Sequence, residues 1–179
     1  MAMLNILPEC YVDTKVAEIV TRSSEKYNHQ HGCGQIANQL KNRLKGIVAL
    51  GIIDEDKNKG PVAKYFLEFE EIKTENNLIL KKHRDRKQYL ILICPEIEVW
   101  LLRNANDVSI DPISFGLPSA LKGFKQIAKT QNIDVNIEFY RFVKALMNKN
   151  SRGIITLKAW ITAFRNNTIE DLPGYTLNP

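Results

Sequence analysis

Four carboxylates occupy places from which they could converge. Glu9 directly follows the apolar stretch that ends at Pro8, Asp54 and Asp56 follow the β-branched run Ile47 to Ile53, and Glu98 lies just beyond the run Tyr89 to Cys94. Convergent carboxylates repel one another unless a cation neutralises them, so such a cluster predicts a hard, oxygen-binding ion, Mg²⁺ or Mn²⁺. Acids at i and i+2 after a buried strand project two short carboxylates from one turn, one to ligate directly and one through water. Taken alone, Asp54 and Asp56 fit a turn or a helix cap slightly better. Glu9, after the first strand, tips the balance towards a site.

Other residues with chemical potential carry plainer readings. Lys81, Lys82, Arg84, Arg86 and Lys87 form a basic run that could grip the phosphates of a nucleic acid without sequence preference. Asp85 interrupts it, and a solvated connection between two strands explains it equally well. His29, His31 and Cys33 alternate with Gly32 and Gly34, but structural zinc takes four ligands from paired spacings, so a polar loop is the better reading. Cys10 follows Glu9 with no His and carboxylate arrangement in sequence that argues for a thiol nucleophile. Trp100 and Trp160 fall in helical apolar patterns and are expected in the core.

The elements that must position these groups alternate. Met3 to Pro8 reads as a short buried strand; Val12, Val16, Ile19 and Val20 then mark one helix face, with Asp13 and Thr14 able to serve its first turn. Ile36, Leu40 and Leu44 mark a second helix, with Lys41, Arg43 and Lys45 on its solvent side and Gly46 at its end. Ile47 to Ile53 is continuously apolar, as expected of a strand covered on both faces. A turn at Lys57 to Pro61 leads through Phe66, Phe69 and Ile72 to a second turn at Glu75-Asn76-Asn77. Leu78 to Leu80 and Tyr89 to Cys94 read as strands, with Lys81 to Lys87 as the exposed connection. Pro95 is expected in the first turn of a helix carrying Ile97, Trp100 and Leu101. Helical patterns follow at Leu117 to Lys129, Ile137 to Met147 and Ile154 to Phe164. The expectation is one α/β domain over 1–179: a mainly parallel, Rossmann-like sheet with flanking helices over 1–111, and a helical C-terminal layer over 112–179. In open sheets of this kind ligands bind outside the carboxyl ends of the strands, where Glu9, Asp54 and Asp56 fall.

A chain of 179 residues, 44% hydrophobic and 25% charged, can bury a continuous core, and no stretch has the composition of a disordered segment. Lys and Arg exceed Asp and Glu by 25 to 20, a net charge of +5 compatible with a polyanionic partner. Three widely spaced cysteines suggest a reducing compartment, and no apolar stretch approaches the ~20 residues of a membrane span. A cytoplasmic location, without membrane association, is the expectation.

The acids also carry a resemblance. Glu9 in Leu7-Pro8-Glu9 and the triplet Asp54-Glu55-Asp56 resemble the Glu after the first strand and the later Asp-x-Asp of the TOPRIM domain. That domain is shared by topoisomerases, primases, overcoming-lysogenisation-defect nucleases and a small ribonuclease that matures ribosomal RNA. The segment Cys94 to Leu102 resembles the Pro-x-x-Glu-x-Trp-Leu-Leu segment of small stand-alone TOPRIM-like proteins of the RloB type, a group associated with bacterial defence loci. The resemblance covers roughly the first 105 residues. The sequence departs from the pattern at Cys10, where the family carries Gly after its Glu, and a Gly follows Asp-x-Asp only at Gly60. The resemblance implies that Glu9 handles a proton as general acid or base, while Asp54 and Asp56 hold Mg²⁺; Glu98 is expected as a further ligand from the convergence of acids at the strand ends alone.

The function expected on these grounds is a metal-dependent nuclease or phosphoryl-transfer protein acting on DNA or RNA, in keeping with phage defence. No Gly-x-x-x-x-Gly-Lys-Ser loop is present, so any ATP dependence implies a separate ATPase partner. The rival is a non-catalytic TOPRIM-like interaction or regulatory subunit that keeps its acids for structure.

Overall fold

The structure, a computed structural model, describes residues 5–55, 63–128 and 130–175. Among these, five strands form one sheet: β1 (Ile6–Pro8), β2 (Ala49–Asp54), β3 (Phe69–Glu75), β4 (Leu78–His83) and β5 (Gln88–Ile93), in the order β1-β2-β5-β4-β3. The helices are α1 (Tyr11–Thr21), α2 (Cys33–Asn38), α3 (Ala63–Phe66), α4 (Ile97–Asp107), α5 (Leu121–Ala128), α6 (Ile137–Asn148) and α7 (Arg152–Arg165). A π-helical turn, Gln39–Arg43, prolongs α2, and 3₁₀ turns cover Pro112–Phe115, Gln131–Val135 and Ile169–Asp171.

The sheet is mixed rather than mainly parallel. β1, β2 and β5 run parallel, whereas β4 is antiparallel to both β5 and β3. The cause is the pair of short connections that flank β4. Asn76 and Asn77 both take left-handed backbone, at φ 51° and 57°, which is the geometry of a two-residue hairpin turn and one that Asn tolerates. The four residues Arg84 to Lys87 are likewise too few for a parallel crossover. A further departure concerns the basic run: β4 continues to His83, so Lys81 and Lys82 are strand residues and only Arg84 to Lys87 form the turn.

Alternation along the strands separates two apolar layers. Ile6, Leu50, Ile52, Leu80, Tyr89, Ile91 and Ile93 face α1, α4, α6 and α7, a layer anchored by the fully buried Trp100 and Trp160. Leu7, Ile53, Leu90 and Leu92 face α2 and α3 on the other side. The helical C-terminal third therefore shares one continuous core with α1 and α4. Between Glu71 and Lys73 the β3–β4 register slips by one residue. This bulge lets Ile72 enter the larger core while Lys73 Nζ reaches the carbonyl of Pro173 at 2.7 Å. At Gly51 a Cβ would stand 2.7 Å from Leu90 Cδ2 and 3.0 Å from Ile36 Cγ2, so glycine permits the close seating of α2 on β2. No helix among the described residues is long and apolar enough to cross a membrane.

Candidate functional site

The parallel half of the sheet brings the carboxyl ends of β1, β2 and β5 to one edge, and two of the four predicted acids meet there. The Glu9 amide donates to the Ile52 carbonyl at 2.9 Å, which continues the β1–β2 ladder one residue past the strand. Its side chain turns back along the edge, and Oε2 accepts from the Asp54 amide at 3.1 Å. Asp54 Oδ1 in turn accepts from the Ile97 amide at 2.9 Å, at the first residue of α4. Both acids are buried, at 1% exposure each.

This chain of contacts has a local cause. Pro95 lies outside α4, Glu96 is its extended N-cap, and no side chain of that cap satisfies the first amides. A helix start leaves orphan N–H groups and partial positive charge, and the Asp54 carboxylate from the neighbouring strand supplies the acceptor. Glu98 stands in the same first turn, 5% exposed, one residue past the amide that Asp54 holds. Asp56 lies outside the described residues.

A second feature of this edge is absent from the sequence reading. Lys125 of α5 forms an ion pair with Glu96, the N-cap of α4. Nothing in sequence signals the pairing, because the residues are far apart in the chain and only the packing of α5 against α4 joins them. Thiols flank the acids. Burial pushes the Cys10 thiol well above its ordinary range, reinforced by the charges of Asp13 and Asp54. Burial likewise raises Cys94 to about 12, with Glu55 adding to the effect. Burial thus disfavours the thiolate form of both cysteines.

The polar loop 28–34 lies along β1. The amides of Asn28, Gln30 and Gly32 donate to the carbonyls of Ile6, Pro8 and Glu9 at 2.9 to 3.0 Å. His29 stacks on Tyr11 with ring centroids 4.1 Å apart, and His31 meets the His29 edge at 4.7 Å. The Thr14 hydroxyl bonds the Cys10 carbonyl at 2.8 Å and lies 3.2 Å from His29 Nδ1. Burial, followed by the neighbouring His31, lowers the His29 pKa. Asp13 accepts from the Cys10 amide at 3.0 Å and caps α1, as the sequence suggested.

The described residues provide two carboxylates at the edge, with Glu98 in the adjacent turn, and contain no group of three or more His, Cys, Asp or Glu side chains disposed to hold a metal ion. The same statement covers His29, His31 and Cys33. Two carboxylates nevertheless suit an ion of the Mg²⁺ type, which keeps several waters and commonly takes one or two protein carboxylates together with substrate phosphates.

The basic run is elsewhere. Leu78 pairs with Ile93 and Ile93 with Asp54, at the acidic edge, whereas Lys82 pairs with Tyr89 at the opposite end of β5. Five strand rises put the turn Arg84 to Lys87 about 17 Å from the acids. Three of the five cations of the run are also engaged. Lys82 pairs with Glu170 at 3.1 Å and Arg84 with Glu70 at 2.9 Å. Arg86 stacks over the Tyr65 ring at 5.7 Å and donates to the Tyr65 hydroxyl at 3.0 Å. Lys81 lies across from Glu71 in the β3–β4 register, and Lys87 is exposed. The two predicted parts of a nuclease, acids and phosphate grip, thus occupy opposite edges of the sheet. No family model, no curated protein and no solved structure matches the chain.

Proposed function

We propose that the chain is a metal-dependent phosphoryl-transfer protein acting on nucleic acid, with nuclease activity as its reaction and the edge formed by Glu9 and Asp54 as its site. The single observation that carries this reading is the meeting of two buried carboxylates at the carboxyl edge of the parallel strands, linked through the Asp54 amide at 3.1 Å. A cation is favoured beside buried acids, and Mg²⁺ or Mn²⁺ held by Asp54, with Asp56 and Glu98 as further donors, suits this edge. A divalent ion at this edge activates water and stabilises charge on a phosphodiester. Glu9 is the residue for proton transfer, and the Asp54 amide fixes the direction of its carboxylate. Without an ATP-binding loop of the Gly-x-x-x-x-Gly-Lys-Ser type, any ATP dependence would come from a separate ATPase partner, in keeping with a role in phage defence.

The test is Mn²⁺ titration by calorimetry together with cleavage assays on DNA and RNA, using wild type, Glu9→Gln and Asp54→Asn. Metal binding that is lost in Asp54→Asn, with cleavage lost in both variants and folding retained, supports the reading. Folded wild type that binds no Mn²⁺ and cleaves neither substrate defeats it.

A second reading has a specific observation in its favour. Glu9 Oε2 and Asp54 Oδ1 already serve internal amides, so the acids have structural employment as caps. On that reading the chain is a non-catalytic interaction or regulatory subunit, and the failed titration just described is its expected outcome.

A further inference from the structure

A groove of about 550 Å³ runs between α1 and α6, away from both the acidic edge and the basic turn. One wall is a stripe of α1, Lys15, Glu18 and Ile19, at the i, i+3 and i+4 spacing that places residues on one helix face, extended by Arg22, the left-handed cap just past the helix end. The other wall is Tyr140 and Lys144, one turn apart on α6. Three cations therefore face one carboxylate, and that carboxylate is occupied: Glu18 Oε1 accepts from the Tyr27 amide at 3.1 Å. Lys15 is braced by the Asp134 carbonyl at 2.5 Å, which leaves its charge in the groove. Asp134 itself sits at the rim, where its carboxylate meets Lys26 at 3.4 Å.

Between these cations stands an aromatic ring. Tyr140 is 41% exposed on a helix whose neighbours Phe139 and Phe142 are buried, so its ring is held at the surface by the packing of the rest of α6. A positively charged groove with an exposed aromatic platform is the combination that single-stranded nucleic acid takes, its phosphates on the cations and a base on the ring. The groove also has a direction. α1 begins at Tyr11, two residues after Glu9, and spans about 16 Å. A strand lying along the stripe from Arg22 past Lys15 would arrive at the acidic edge.

We infer that the α1–α6 groove binds single-stranded nucleic acid through Lys15, Arg22 and Lys144, with Tyr140 stacking a base. The inference rests on the nucleic-acid reading proposed above and assigns the phosphate grip to this groove instead of the 81–87 run.

The test is fluorescence anisotropy with labelled oligo-dT and oligo-rU of about 15 nucleotides, long enough to fill a typical single-strand site, in EDTA so that nothing is cleaved. Wild type is expected to bind with log K falling against log salt at a slope of about −2, from three phosphates neutralised at about 0.7 each. Arg22→Asn with Lys144→Gln removes about 1.4 from that slope and at least about tenfold in affinity. Asn suits position 22, whose φ is 50°. Tyr140→Ala lowers affinity by about tenfold at an unchanged slope, and leaves heparin binding as in wild type. Arg84→Gln with Arg86→Gln changes neither. The inference is overturned if wild type binds neither oligonucleotide, or if the groove variants, folded by circular dichroism, keep wild-type affinity and slope. Because binding is read in EDTA, its failure leaves the Mn²⁺ titration unaffected, and a failed titration leaves this result standing.

Discussion

Replacing Asp54 by Asn and by Ala separates its two jobs, capping and metal binding. The Asp54 carboxylate accepts from the Ile97 amide at 2.9 Å in a fully buried setting, and the Glu9 carboxylate lies against its own amide. Asp54→Ala leaves the first amide of α4 without its acceptor, a loss of about 1.5–3 kcal/mol for a buried bond to a charged group. For a chain of this size that lowers Tm by about 4–10 °C. Asp54→Asn keeps an oxygen acceptor in place for the Ile97 amide. The bond is weakened but not lost, so Tm in EDTA is expected within about 3 °C of wild type. Mn²⁺ at a hundred times its Kd should then stabilise wild type by about 2.7 kcal/mol, a rise of about 5–10 °C, and leave both variants unmoved. The assay is a thermal melt of the three proteins with EDTA and with Mn²⁺. If Asp54→Asn melts as low as Asp54→Ala in EDTA, the capping argument fails. If Mn²⁺ raises Asp54→Asn as much as wild type, Asp54 holds no metal. Asp54→Asn is consequently the informative variant in a cleavage assay, because lost activity in Asp54→Ala would follow from instability alone.

Two further outcomes follow from the packing. A Cβ at Gly153 would stand 2.5 Å and 2.7 Å from the Asn104 amide atoms and 2.9 Å from Trp100 Cζ2, where Ser151 also donates to Asn104 Oδ1, so Gly153→Ala should destabilise by about 2 kcal/mol, read as a lower urea midpoint at constant slope. His83 is 1% exposed, accepts from the Asp85 amide at Nδ1 and presents Nε2 to Glu68 at 3.1 Å. Burial lowers its pKa from the ordinary 6.5, despite the raising effect of Glu68. Below pH 6.5 the unfolded chain takes up a proton that the folded chain resists, so stability is full above that pH and falls as pH drops towards the folded pKa. Melts between pH 7.5 and 5.5 should show a smaller decline in His83→Gln than in wild type; an equal decline would remove His83 as its source.

How much of this was legible in the sequence depends on the range of the forces involved. The strand carrying Ile52 and Ile53, the helix faces of α1 and α2, the capping role of Asp13 and the core positions of Trp100 and Trp160 follow from local periodicity and short-range hydrogen bonding. Those patterns repeat within one or two turns of chain, so they can be read without knowing what lies opposite. Strand direction could not be read in the same way. The left-handed pair Asn76-Asn77 was visible as a turn, but only the antiparallel pairing of β4 with β3 shows that the chain reverses there, and only its pairing with β5 places Lys82 at the end remote from Asp54. Charge alone made Lys81 to Lys87 look like a free phosphate grip. The tertiary structure spends three of those cations, Lys82, Arg84 and Arg86, on Glu170, Glu70 and Tyr65.

The acidic edge divides along the same line. The sequence by itself determined that Glu9 and Asp54 end buried strands, because a β-branched apolar run followed by an acid marks a strand leaving the core. That the two acids touch, that Asp54 holds the first amide of α4, and that Lys125 joins Glu96 were decided only when parallel pairing set β1 beside β2 and packing laid α4 and α5 across their ends. The same holds for the groove, whose α1 stripe is written in the spacing of Lys15, Glu18 and Ile19, while its second wall, Tyr140 and Lys144, comes from a helix more than a hundred residues later. Helical and strand periods are local properties of the backbone, whereas convergence of side chains depends on register and packing between distant segments, which no single stretch of chain encodes.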